Sequence, residues 1–154
     1  MTNAHQQTKA GLLALCQTYI QKRIDTARQA MESAQEAANS ESKSSAGDKY
    51  ETGRAMAQNE RDRNAQLLAE AKKVDGELKQ LAIEKTYETV LPGSLAVTNQ
   101  GLFFISIGAG RLTLDGVDYF AVSAASPIGT ALTGRKANDT VTFNKLDYTV
   151  LDVY

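Results

Sequence analysis

Between residues 8 and 42 the apolar positions Leu13, Cys16, Ile20, Ile24, Ala27, Met31, Ala34 and Ala38 follow one another at gaps of three or four residues. That spacing holds one stripe on one face of a helix and suits a coiled-coil seam. The positions between them are mostly Gln, Lys, Arg, Glu and Ser. A second helix is predicted over 49–85, with a seam of Met56, Arg63, Leu67, Ala71, Val74, Leu78 and Leu81. Between the two lies Ser40-Glu41-Ser42-Lys43-Ser44-Ser45-Ala46-Gly47-Asp48. Serine and glycine are poor helix interiors and good turn formers. A turn near 42–51 folds the two stripes against each other as a long antiparallel hairpin. Its base pairs large side chains, Leu13 and Ile20 with Val74, Leu78 and Leu81. Its tip half is thin, built on Ala27, Ala30, Ala34 and Ala38. Arms of roughly 35 residues give a reach on the order of 50 Å.

The period changes near residue 86. Before it there is no proline; after it come Pro92, Pro127, frequent glycine and runs of Val, Ile, Thr, Phe and Tyr. Strands are expected at 95–97, 101–107, 111–114, 117–123, 140–143 and 148–153. Thr98-Asn99-Gln100-Gly101, Gly108-Ala109-Gly110, Asp115-Gly116 and Asn144-Lys145 separate them as turns, Asp115-Gly116 being a good hairpin signal. Ser126 is placed to cap a short helix, with Pro127 at its first position and Gly134 ending it. Ile128, Ala131 and Leu132 would pack that helix on the sheet. The expected fold is α+β: a coiled-coil hairpin over 1–86, then a small antiparallel β domain with one short helix over 87–154.

Composition narrows the function classes. Net charge is −1, so no bulk attraction to nucleic acid or anionic membrane is implied. The longest apolar runs, such as 102–107, are too short to span a bilayer, and 1–8 lacks the build of a secretory signal. A cytoplasmic protein without membrane association is expected. One cysteine and one histidine give neither an internal disulfide nor a Cys/His zinc site. Cys16 sits among Leu12, Leu13, Leu15 and Tyr19 and reads as core. The second half offers no acid–base–nucleophile set.

The candidate chemistry lies at the hairpin turn, in Gly47-Asp48-Lys49-Tyr50-Glu51-Thr52. Asp48 followed by Glu51 three residues later has the form of a helix capping box, and both acids suit the positive end of the helix dipole. The same spacing also stands two carboxylates together, where they could share one hard divalent cation. Two carboxylates are too few for an independent Mg²⁺ site. Such a tip would need a partner that already carries metal and further acidic ligands.

Here the sequence resembles the Gre transcript-cleavage factors of bacteria. Their tip pattern, Gly-Asp-x-x-Glu-Asn, is matched by Gly47 to Thr52. Ser126-Pro127-Ile128-Gly129-Thr130-Ala131-Leu132-Thr133-Gly134-Arg135-Lys136-Ala137-Asn138-Asp139-Thr140-Val141 is similar to the family's Ser-Pro-Ile-x-x-Ala-Leu-x-Gly-Lys-x-x-Gly-Asp-x-Val segment. The resemblance implies a hairpin inserted into the secondary channel of bacterial RNA polymerase and an FKBP-like C-terminal domain docked at the channel rim. It implies that Asp48 and Glu51 assist the polymerase's own Mg²⁺ in hydrolysing backtracked RNA near the RNA 3′ end. It makes Ser126, Pro127, Ile128 and Gly129 candidates for polymerase binding. No cofactor is implied beyond that Mg²⁺, and a monomer without independent enzymatic activity is expected. The sequence departs from the pattern at Thr52, at Gly53-Arg54-Ala55 where Ala-Glu-Tyr is usual, at Tyr50 between the acids, and at Asn138 in place of Gly.

Two alternatives stay open: a regulator of the same channel that does not stimulate cleavage, and a structural coiled-coil module for another partner. Prolyl isomerisation, which the FKBP-like resemblance raises, needs an aromatic-lined pocket. The sequence has no tryptophan, and Phe103, Phe104 and Phe120 read as alternating between core and surface.

Overall fold

A computed structural model describes residues 4–41 and 48–154, including the side chains of all of these except 41 and 48–50. The turn expected at 42–47, Gly47 included, lies outside the described residues. The architecture is α+β, as expected. Helices α1 (Ala4–Glu41) and α2 (Asp48–Lys79) form a long N-terminal hairpin, and a six-stranded sheet domain follows. By spatial contacts the chain divides into 20–75, the hairpin's distal part, and 1–19 together with 76–154.

In the distal part the seam of α1 is Ile20, Ile24, Ala27, Met31, Ala34 and Ala38; Met31 is half-buried and the rest are buried. On α2 the inward residues are Gly53, Ala57, Arg61, Asn64, Leu68, Ala71 and Asp75, at gaps of three or four. This corrects the first half of the expected α2 seam, while Ala71 and Leu78 are buried as expected. Met56 is 67 % exposed, Leu67 42 %, and Arg63 points to solvent where it pairs with Glu60. In that half the inward stripe includes the polar Arg61 and Asn64, so a reading that sought apolar residues settled there on a neighbouring face.

In the other unit the stripe of α1 continues through Cys16 and Leu12, with Leu13 only half-buried beside it. Helix α2 stops at Lys79, six residues short of the predicted end. Gln80 and Leu81 close a tighter turn onto Glu77 and Leu78. Beyond it, side chains take up the carbonyls: the Tyr87 hydroxyl donates to Ala82 O and the Lys9 ammonium to Lys85 O.

The strands are β1 (Leu95–Thr98), β2 (Gly101–Ile105), β3 (Gly110–Leu114), β4 (Val117–Val122), β5 (Thr140–Phe143) and β6 (Leu146–Val153), in the order β3-β4-β2-β1-β6-β5. All pairs are antiparallel except β2 with β4. The purely antiparallel expectation fails there because β4 returns from the β3 hairpin into the place beside β2. Strand β6 is shared: its first half pairs with β5, its second with β1, and the register shifts at Leu151, which is left exposed.

Both faces of the sheet are covered, which is why Phe103, Phe104 and Ile105 are buried in succession rather than alternately. One face holds Ala96, Phe103, Ile105, Val141, Val150 and Val153 under helix α3 (Pro127–Leu132). The other carries Leu95, Phe104, Leu112 and Ala121. Against it lies the start of α1, where a Cβ on Gly11 would meet Leu114 Cδ2 at 2.9 Å and where Cys16 Sγ is 3.7 Å from Ser106 Oγ. The phenylalanines also depart from the alternating expectation. Phe103 and Phe120 share a face and pack with Tyr148 and Phe143 in a row of rings 5.6–6.2 Å apart.

Candidate functional site

Helix α2 begins at Asp48, immediately after the interhelical segment, and Glu51 lies in its first turn with its side chain exposed. Residues three apart on a helix are neighbours on one face, with Cβ atoms about 5–6 Å apart. Positions 48 and 51, expected from the sequence to carry the two carboxylates, both fall in the first turn of α2. Among the described residues no group of three or more His, Cys, Asp and Glu side chains could hold a metal ion.

The 126–129 segment is built as a helix cap. Ser126 Oγ accepts from Gly129 N at 3.1 Å and donates to Ser123 O at 2.7 Å. Pro127 follows at the first helical position and is exposed. Ile128 packs on the sheet core. Gly129, expected at an exposed edge, is buried: a Cβ there would lie 1.9 Å from Ser123 O. Of the four candidate docking residues, Pro127 is the one that offers an open side chain.

The end of this motif explains one departure. Gly134 takes φ +87° after α3, as helix C-termini often require. Asn138 has φ 78°, the left-handed region that asparagine tolerates better than other side chains. It therefore does what the glycine of the resembled pattern would do. Asp139 then receives the Lys136 N–H on its carboxylate at 2.9 Å and closes the turn into β5.

Several groups with unusual surroundings were not legible in the sequence. Lys9 is 1 % exposed, donates to Lys85 O at 2.9 Å and sits 4.8 Å from the centre of the Tyr87 ring. Burial pushes its ammonium below the ordinary value, partly offset by Glu84. It lies two turns N-terminal to Cys16 on the same stripe, and that periodicity is the one signal that could have placed it inside. A groove of about 380 Å³ runs beside Glu77, Gln80, Leu81, Pro92, Ser106 and Ser123. Arg61, in the α2 stripe, donates from Nη1 to Gln35 Oε1 of α1 at 2.7 Å. The alternation of gaps from Ala57 to Leu78 is the signal that would have found it.

No described helix is long and apolar enough to cross a membrane. No protein-family model and no curated protein matches the sequence. Among solved structures the chain is similar to the crystal structure of GreA factor homolog 1 of Thermus thermophilus, at 17 % identity and a TM-score of 0.37, over 90 % of this chain and 94 % of that one.

Proposed function

We propose that this chain binds bacterial RNA polymerase, places its hairpin in the secondary channel and stimulates cleavage of backtracked RNA through Asp48 and Glu51. The observation that carries the reading is the start of α2 at Asp48. It sets both acids in the first turn after the interhelical segment, where a slender rod can present them inside a cavity closed to a globule. The match between the 126–141 segment and the Gre pattern supports it, with Asn138 filling the glycine's conformational role.

In the polymerase, bound Mg²⁺ supplies Lewis-acid activation of water and neutralises charge on the phosphodiester. Asp48 and Glu51 add carboxylate oxygens to that centre and can accept a hydrogen bond from the attacking water, orienting it. In sequence Lys49 lies between them and Arg54 follows them. Pro127 and the α3 surface around it form the docking contact, with Ser126 and Gly129 holding the geometry from below and Ile128 anchoring it to the sheet.

The test is a stalled, backtracked bacterial elongation complex. Added protein is expected to shorten the RNA above the intrinsic rate. The double variant Asp48→Asn with Glu51→Gln is expected to lower that stimulation by about 100-fold or more while competition binding stays intact. Absence of any RNA shortening by the unaltered protein rules the cleavage role out. Tyr50 between the acids and Thr52 after them favour one second reading, a channel regulator that slows nucleotide addition without cleavage. Slowed addition with unshortened RNA would select it.

A further inference from the structure

Residues 80–85 read Gln-Leu-Ala-Ile-Glu-Lys and follow directly on α2. The run holds no glycine or proline, and most of its residues are good helix formers. Leu81 stands three residues beyond the buried Leu78, the spacing of one helical face. Nothing in that run stops a helix, and yet α2 ends at Lys79. The segment crosses instead as a strap. Gln80 and Leu81 bond back three residues, to Glu77 O and Leu78 O, and the N–H groups of 82–85 find no backbone acceptor among the described residues. Three side chains hold it. Tyr87 Oη donates to Ala82 O at 2.8 Å, Gln6 Nε2 to Glu84 O at 2.8 Å and Lys9 Nζ to Lys85 O at 2.9 Å. Lys9 Nζ also lies 4.8 Å from the centre of the Tyr87 ring, which ties two of the holders together. The strap is closely packed: a Cβ on Gly93 would meet Tyr87 Oη at 3.0 Å and Ala82 O at 3.2 Å.

We propose that Gln6, Lys9 and Tyr87 form a clasp that keeps 80–85 out of α2, and that opening the clasp lets α2 run on through Lys85. Local preference and tertiary contacts oppose each other over this run, the condition for two arrangements close in free energy. In the closed arrangement the carbonyls of Ala82, Glu84 and Lys85 have side-chain donors. In the open one the N–H groups of 82–85 gain the carbonyls of 78–81, and the added residues lengthen α2 by about 9 Å. Gln6 and Lys9 both belong to the first two turns of α1, so displacing that end of α1 opens the clasp. Lys9 is buried, and its charge is tolerated there because a carbonyl and a ring receive it.

The experiment is amide exchange and Cα chemical shifts by NMR on the full chain. In the unaltered protein the amides of 82–85 are expected to be unprotected and their shifts non-helical. Lys9→Met with Tyr87→Phe removes two donors and keeps their bulk. It is expected to raise protection of those amides by about tenfold, with helical shifts. Adding Ala82→Gly and Ile83→Gly lowers the helix preference of the run and is expected to reverse that gain, as simple loosening of the strap would not. Helical shifts at 82–85 in the unaltered protein overturn the proposal. So does a lack of protection there in the clasp variant while the sheet amides stay protected. If that variant loses its sheet, Tyr87→Phe alone decides between the same two results, since it keeps the ring beneath Lys9. A gain of about threefold is then expected. No polymerase is needed, so failure here and failure of the cleavage reading are separate results.

Discussion

At the scale of the residue, the 126–141 segment shows how much conformational demand a short motif can encode. Ser126 caps, Pro127 starts and Gly134 ends α3, all for reasons readable from side-chain chemistry. Gly129 is different. Nothing local asks for glycine at the third position of a helix, and the backbone φ there is not left-handed. The demand comes from Ser123 O, 1.9 Å from where a Cβ would be. Gly129→Ala is therefore expected to destabilise the sheet domain by about 2–3 kcal/mol or to displace α3, although alanine is the better helix former. A melting-temperature comparison checks the first outcome, and loss of the Ser126 cap in amide exchange checks the second. Lys9 makes the converse point: a charged residue is buried because the Lys85 carbonyl and the Tyr87 ring receive it.

At the scale of the element, α1 and α2 carry two kinds of seam. Ile20 and Ile24 are large and almost fully buried, whereas Ala34 and Ala38 remove little surface from water. Area buried per residue sets the stabilisation each layer supplies. Ile20→Ala is expected to cost about 2–4 kcal/mol by leaving a cavity. Ala34→Gly is expected to cost only about 1 kcal/mol, mostly through helix propensity. Thermal melts followed at 222 nm distinguish the two; equal losses would show that the alanine layers are packed as firmly as the isoleucine layers. The α1 stripe was legible because its residues are apolar at regular gaps. The first half of the α2 stripe was not, because Arg61 and Asn64 occupy inward positions and hydropathy alone reads them as surface. The strands were all legible, with ends shifted by one or two residues, but their neighbours were not. The parallel β2–β4 pair arises from a return path that no local pattern specifies.

At the scale of the whole chain, the sheet domain has no core of its own on the face that carries Phe104 and Leu112. The start of α1 supplies the cover, through Gly11 at Leu114 and Cys16 at Ser106. Burial pushes the Cys16 thiol above its ordinary value of 9.0, with the Ser106 hydroxyl pulling weakly the other way. A raised folded value favours the neutral thiol in the native state. That stability is fully present below about 9, and is lost as pH rises through the folded value. Cys16 is accordingly expected to resist iodoacetamide at pH 8 in the native protein and to react at the rate of a free thiol once unfolded. Rapid alkylation under native conditions would mean that α1 does not stay on the sheet.

Sequence by itself determined that two helices come first, the second starting near Asp48, and that six strands and one capped helix follow. Those features are local: side-chain period, capping chemistry and turn residues act within a few positions, so one sequence window contains their cause. The tertiary structure decided which stripe of α2 faces inward, where α2 stops, which strands become neighbours and which residue of 126–129 remains open to a partner. Those outcomes depend on donors, acceptors and surfaces that folding brings from far along the chain, as Gln35 is brought to Arg61 and Lys9 to Lys85.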